Sequence, residues 1–202
     1  MALTRTDIKV PIISTATRDA VVFRDDTLPG YHIEASQCDC LSDDDNPVGY
    51  LNDWSICYTG NSHALGTLKV TPEEAETIRQ RHLRGEIFLM PVFAYVHSGT
   101  MLRAAYTNPF SCSWDSGQSG VVCIPRDKVA PGTTDAQLEE TAKTLVRQFA
   151  DYINGDVHQL MLRKDDDSPD ADDTEYVDMR ICFASDNLDE AVQALFDTIK
   201  EN

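Results

Sequence analysis

The stretch Ile87-Phe-Leu-Met-Pro-Val-Phe-Ala-Tyr-Val96 decides the fold that the sequence predicts. A continuous apolar run of this length is typical of a strand buried on both faces, and Pro91 within it predicts a bulge or an edge position. The Ser98-Gly99 step predicts a hairpin turn into a strand over 101–106, and 120–124 has a similar pattern. We therefore expect a sheet core in the middle of the chain.

Helices are predicted on either side of this core. Thr71-Pro-Glu-Glu74 has the pattern of a capping box with proline at the first helical position, and it predicts a helix over 72–84. A single apolar stripe at spacings of three and four residues predicts the longest helix between Asp135 and Gly155. The same spacing predicts a final helix over 188–200.

The remaining patterned segments predict short strands over 8–13, 20–23, 31–35, 54–58, 157–162 and 175–183. Strands and helices do not alternate regularly, which favours an α+β fold with a mainly antiparallel sheet and about three helices packed on it. The 202 residues fit one large or two small domains. We predict a single domain over 1–202, with a β-rich part over 1–70, an α/β remainder and a mobile acidic loop over 164–175.

The chain is strongly acidic, with a formal net charge of −17. Residues 135–202 hold 18 acidic and 6 basic residues, a net of −12, and residues 1–134 hold the other 16 acidic and 11 basic, a net of −5. Such a surface repels nucleic-acid phosphates and anionic membranes and attracts cationic surfaces. Solubility alone is the alternative explanation of the charge.

Composition also limits the location and the cofactors. No apolar run is long enough to span a membrane, and the N-terminus lacks the apolar stretch of a signal peptide, so we expect a cytoplasmic protein with reduced thiols. Cys38-Asp-Cys40 is too tightly spaced for a zinc knuckle. The acidic run over 165–175 lacks the glycine of a calcium-binding loop and contains Pro169. We predict no metal and no cofactor.

One set of residues suggests covalent catalysis. Cys112 would be the nucleophile, His97 its base, and Asp115 the residue that orients the imidazole. Gly117-Gln-Ser-Gly120 fits neither a serine-hydrolase elbow nor a phosphate-binding loop. The structural alternative is that this segment builds the fold, with glycines that allow a tight turn and a close backbone approach and with Trp114 as an anchor.

The same segment resembles a family of proteins encoded by phages and other mobile elements. Its members have Pro-Val-Tyr-x-Tyr-x-His-Ser-Gly followed by Ser-Pro-Phe-Ser-Cys-Pro-Trp-Asp-Ser-Gly-Gln-Val-Gly. The matching residues here are Pro91, Val92, Tyr95, His97, Ser98, Gly99, Pro109, Phe110, Ser111, Cys112, Trp114, Asp115, Ser116, Gly117, Gln118 and Gly120. Ser113 and Ser119 depart from the motif. Residues 152–158 are similar to a second family motif, with His158 in place of tyrosine.

The resemblance implies an origin in a phage or mobile element within a bacterial host. We therefore predict an accessory protein that counters host defence, of the anti-CRISPR or antirestriction type, by binding the basic surface of a nucleic-acid-binding defence complex. The predicted partner-binding residues are Asp165, Asp166, Asp167, Asp170, Asp172, Asp173 and Glu175. The alternatives are a small Cys-dependent hydrolase or transferase that uses Cys112, His97 and Asp115, and a structural phage protein.

Overall fold

A computed structural model describes residues 3–13, 16–39, 41–51, 53–60, 65–165 and 175–200. Within these ranges the chain forms ten strands and four helices in two five-stranded sheets. The strands are β1 Leu3–Ile13, β2 Ala16–Asp25, β3 Tyr31–Gln37, β4 Ser55–Tyr58, β5 Leu68–Lys69, β6 Ile87–Val96, β7 Thr100–Ala104, β8 Ser116–Pro125, β9 Val157–Lys164 and β10 Glu175–Phe183. The helices are α1 Pro47–Tyr50, α2 Pro72–Leu83, α3 Asp135–Asn154 and α4 Leu188–Lys200.

The predicted α+β class with antiparallel pairing is confirmed, although the strands form two sheets rather than one. All strand pairs in the described ranges are antiparallel except β4 with β5. The chain divides into two compact units, one made of 1–41 with 155–202 and the other of 42–154. The single domain expected from the sequence stays a prediction.

The first unit is one sheet with a helix on one face. Its strand order is β1-β2-β3-β9-β10, and α4 covers the face that carries Phe23, Ile33 and Leu162. Phe196 of α4 is fully buried against this face. The apolar residues of α4 therefore recur at the spacing that places them on the side of the helix that contacts the sheet.

The second unit has helices on both faces of its sheet, whose strand order is β5-β4-β8-β6-β7. Phe88 and Met90 of β6 point to the core that α3 closes, whereas Ile87 and Leu89 point to the side that α2 covers. This double coverage explains why β6 is apolar at consecutive positions instead of alternating.

Pro91 lies inside the sheet, because β6 is flanked by β8 and β7. The β6–β8 register shifts between Val92 and Phe93, where Ser119 of β8 is the extra residue. A bulge therefore lies one residue beyond the proline, on the facing strand, and the predicted edge position is wrong. The Pro91 carbonyl oxygen still accepts a hydrogen bond from the Ala105 amide at 3.0 Å. The ladder thus accommodates a residue without an N–H by changing register beside it.

The capping box of α2 is also confirmed. The Thr71 amide donates to Glu74 Oε2 at 2.7 Å, and the Glu74 amide donates to Thr71 Oγ1 at 3.2 Å. Gly85 has a φ of +73° and ends the helix in the left-handed conformation that glycine adopts without strain. Among the residues that the structure covers, no helix is long and apolar enough to cross a membrane.

Candidate functional site

Trp114 is the most exposed large apolar side chain of the described chain, with 95% of its surface accessible. It lies in the segment 105–115 between β7 and β8, which we call the Trp114 loop. The prediction that Trp114 anchors the fold is wrong. The anchoring tryptophan of this unit is Trp54, which is 8% exposed and packs edge-on against Phe88.

The Trp114 loop is held by its own hydrogen bonds. The Phe110 amide donates to Asn108 Oδ1 at 3.0 Å, and Asn108 Nδ2 donates to Ser116 Oγ at 3.0 Å. Ser116 Oγ donates in turn to the Cys112 carbonyl oxygen. The Phe110 ring packs against Tyr95 of β6, with 5.8 Å between centroids. Local polar contacts and one ring contact therefore hold this exposed loop on the sheet.

The predicted catalytic residues are only partly brought together. Cys112 Sγ lies 3.5 Å from Asp115 Oδ2, whereas the His97 ring packs edge-on against Tyr95. In the described ranges no hydrogen bond joins His97 to Cys112 or Asp115. A carboxylate accepts this bond from the protonated thiol, whereas the nucleophile of covalent catalysis is the thiolate. The catalytic hypothesis stays a prediction that this geometry does not favour.

The His97→Ala substitution tests that hypothesis. We expect the rate of iodoacetamide labelling at Cys112 near neutral pH to change by less than about twofold, because no imidazole contacts the sulfur to deprotonate it. The rate is measured by mass spectrometry of the Cys112 peptide. A large loss of labelling in the variant would show that His97 activates the thiol after all.

The Trp114→Ala substitution tests the exposure of the indole. We expect the free energy of unfolding to change by no more than about 0.5 kcal/mol, as for surface substitutions in general. Acrylamide should readily quench part of the tryptophan fluorescence of the wild-type protein. That readily quenched part should be missing in the variant, because only the shielded Trp54 remains. A loss of several kcal/mol in urea unfolding would contradict the exposed position.

Asp165, the first residue of the predicted acidic surface, is already engaged within the first unit. Its carboxylate lies 2.6 Å from Arg24 Nη1 and 2.6 Å from His32 Nδ1. Arg24, followed by His32, holds the pKa of Asp165 below its usual value against the opposing effect of partial burial. Asp166, Asp167, Asp170, Asp172 and Asp173 lie outside the described residues, and only the backbone of Glu175, at the start of β10, is described.

A second acidic cluster lies in the other unit, in the 3₁₀ turn Asp43–Asp45. None of the ion pairs in the described part of the chain involves these three carboxylates. Burial, followed by the charges of Asp45 and Asp44, raises the pKa of the nearby Tyr50. Burial, followed by Asp43 and Asp45, also raises the pKa of Tyr152. The turn therefore contributes negative charge that its surroundings do not neutralise.

The cations of the protein are, in contrast, mostly paired with carboxylates. The side chains in such pairs are Arg5, Arg24, Arg79, Arg81, Arg84, Arg126, Lys128, Lys143, Arg163, Arg180 and Lys200. In the basic cluster near the end of α2, Arg79 pairs with Glu76, and Arg81 and Arg84 both pair with Glu86. The net charge of −17 therefore makes the surface potential negative.

A pocket of about 370 Å³ lies between α2 and the sheet of the second unit, and its lining includes Cys57 of β4. Cys57 packs in the same cluster as Cys123 of β8. The sequence alone does not indicate this pair, because no short motif relates the two cysteines. Only the antiparallel pairing of β4 with β8 brings them together.

Comparisons with known proteins identify no relative of this chain. The resemblance of residues 91–120 to proteins of phages and mobile elements is therefore not tested by them and stays a prediction. Neither a protein-family model, nor a curated protein, nor a solved structure matches the sequence or its fold.

Proposed function

We propose that this chain is a non-enzymatic binding protein whose acidic surface occupies the basic, nucleic-acid-binding surface of another protein. The observation that carries the proposal is the charge pattern: most cations are paired with carboxylates, while the net charge is −17 and Asp43–Asp45 form no described ion pair. A nucleic acid would meet a repulsive surface here, and a basic protein would meet an attractive one.

In this function carboxylates take the place of phosphates. Each would accept charge-assisted hydrogen bonds from Arg or Lys side chains that normally hold the nucleic-acid backbone. Binding should be fast at low ionic strength and should weaken steeply as salt screens the exposed charges. The two acidic segments 43–45 and 166–175 are the proposed contact surfaces, since Asp165 is already paired with Arg24 and His32.

The biological setting that we propose is a phage or mobile element that counters host defence, as the resemblance of residues 91–120 implies. The partner would be a host defence complex of the CRISPR or restriction type with a basic nucleic-acid channel. The side chains at the predicted catalytic positions need no enzymatic role in this setting.

The test is competition with DNA. Purified restriction enzymes and guide-loaded CRISPR effectors are mixed with labelled duplex DNA, and the protein is titrated in at low and at high salt. We expect DNA to be displaced from at least one of these complexes at low salt, and we expect the effect to disappear at high salt. Failure to displace DNA from any of them at low salt would refute the proposal.

Two variants locate the contact surface and a third controls for total charge. Neutralising Asp43, Asp44 and Asp45 to asparagine, or Asp166, Asp167 and Asp170 likewise, should weaken displacement by about tenfold or more. The control carries Glu76→Gln, Glu86→Gln and Glu140→Gln, which remove three carboxylates that are already paired with cations. Equal weakening by the control would reduce the effect to net charge and would contradict a specific acidic surface.

A further inference from the structure

Two cysteines of the second unit form a buried pair of thiols. Cys57 lies opposite Val121 in the β4–β8 ladder and Cys123 lies opposite Ser55, so the cysteines are diagonal neighbours on adjacent antiparallel strands. Residues opposite each other share a face of the sheet, as do residues two apart along one strand. Both thiols therefore face α2, and they are 2% and 9% exposed.

The two thiols differ in character. Interaction with the Cys123 thiol lowers the pKa of Cys57, and the same interaction, together with burial, raises the pKa of Cys123. Cys57 lines the pocket beneath α2 and Cys123 does not, so Cys57 is the thiol that a molecule in this pocket meets first. A cysteine that a small molecule can reach, with a second thiol beside it, is the pattern of a nucleophilic cysteine with a resolving partner.

The pocket beneath α2 gives Cys57 a route to a small molecule. Its lining is apolar at Ile78 and Leu89, and polar at Thr59 and Ser119. A volume of about 370 Å³ lies within the range of small-ligand sites, which are mostly apolar with a few polar groups. Arg79, also at the pocket, is held by two bonds to Glu76, so its charge is already compensated. These features suit an uncharged apolar reactant better than an anion.

We propose that Cys57 and Cys123 form a dithiol site that reacts with small apolar organic hydroperoxides entering through this pocket. The inference does not depend on the acidic surface or on the proposed partner. Cys57 loses its proton to water, its thiolate attacks the terminal peroxide oxygen and the O–O bond breaks. The alkoxide leaves and takes up a proton from water to become the alcohol. Cys57 then carries a sulfenic acid.

The second step forms a disulfide within the protein. The Cys123 sulfur attacks the Cys57 sulfur, the S–O bond breaks, and the hydroxide leaves as water with the thiol proton. The two thiols are oxidised to one disulfide, and the hydroperoxide is reduced to an alcohol and water. The product would link β4 to β8 across their diagonal.

The experiment treats the fully reduced protein with one equivalent of cumene hydroperoxide and then alkylates the remaining thiols with iodoacetamide in denaturant. Peptide mass spectrometry should show the loss of label at Cys57 and Cys123 together with a linked peptide, while the more exposed Cys112 stays alkylated. Full alkylation of Cys57 and Cys123, or oxidation at Cys112 first, would overturn the proposal.

Two variants separate the steps. In Cys123→Ser, dimedone should capture a sulfenic acid at Cys57, because no resolving thiol remains. Ala75→Leu places a larger side chain at the pocket and should slow the reaction with cumene hydroperoxide but not with hydrogen peroxide. Equal rates with cumene hydroperoxide in wild type and Ala75→Leu would exclude this entry route. Circular dichroism shows whether each variant is folded. If Cys123→Ser is unfolded, the peptide mass spectrometry of the wild-type protein decides the proposal.

Discussion

Gly120→Ala is expected to destabilise the second unit by about 3 kcal/mol, at the upper end of the usual cost of overpacking. Gly120 lies in β8 between β4 and β6, opposite Tyr58 and Val92. A Cβ atom here would overlap the carbonyl oxygen of Cys57 and would lie 3.1 Å from the Cα atom of Tyr58. Both contacts are with backbone, which cannot move away without breaking the β4–β8 ladder. Urea unfolding measures the effect.

Gly117→Ala is the matched control, since it lies in the same strand and has no atom within 4 Å of a built Cβ. We expect its free energy of unfolding to stay within about 1 kcal/mol of wild type. Any change should be stabilising, because alanine reduces the conformational freedom of the unfolded chain. Equal losses in the two variants would show that glycine at these positions serves backbone flexibility. A loss confined to Gly120 would show that the close approach of β4 requires it.

Asp25→Asn is expected to cost the first unit about 2–3 kcal/mol at neutral pH. The carboxylate is 3% exposed and accepts bonds from the Thr27 amide at 2.8 Å, the Thr27 hydroxyl at 2.7 Å and Lys200 Nζ at 3.0 Å. Asparagine keeps one oxygen acceptor but turns an NH₂ group or a weaker acceptor toward the ammonium. The ion pair between Asp25, at the end of β2, and Lys200, at the end of α4, is thereby lost.

The same carboxylate predicts a pH dependence with a definite sign. Hydrogen bonds from the Thr27 hydroxyl and amide, followed by Lys200, hold the pKa of Asp25 far below its ordinary value despite burial. A group whose pKa is lowered in the folded state stabilises above its unfolded pKa of about 4, and this stabilisation is lost as the pH falls toward the folded value. Asp25→Asn should therefore flatten the stability profile between about pH 4 and pH 2.

Asp197→Asn serves as the control for this prediction, because Asp197 also contacts Lys200, at 3.1 Å, but its side chain is 49% exposed. We expect its cost to stay within about 0.5 kcal/mol, as for other solvent-exposed ion pairs. A comparable loss of stability in both variants would show that either contact of Lys200 stabilises the fold equally and that the burial of Asp25 adds nothing.

Local patterns in the sequence predicted the elements well and their assembly less well. The capping box at Thr71 and the apolar stripe of α3 depend on residues close in sequence, and both are present in the structure. The two separate sheets were not predicted, because strand pairing depends on which distant segments meet and periodicity does not encode that choice. For the same reason, the sequence did not predict that Cys57 and Cys123 lie close together.

Trp114 shows a different limit of sequence interpretation. Tryptophan in a segment rich in glycine and apolar residues suggests a buried anchor, since burial of its large ring stabilises a core. Here the ring lies within the Trp114 loop, which the hydrogen bonds of Asn108 and Ser116 hold in place, so burial of the ring is not needed to order it. Composition alone indicates the acidic segment, but its first residue, Asp165, is paired within the fold.

The division of the first unit into two chain segments has a consequence for synthesis on the ribosome. β3 pairs with β9, so that Glu34 meets Arg163 across 129 positions of sequence. The whole of residues 42–154 is made between them, which at ribosomal speeds takes on the order of ten seconds. During that time β3 can pair with β2 but has no partner on its other side. The nascent hairpin β2–β3 therefore presents an open strand edge to the cell until β9 emerges.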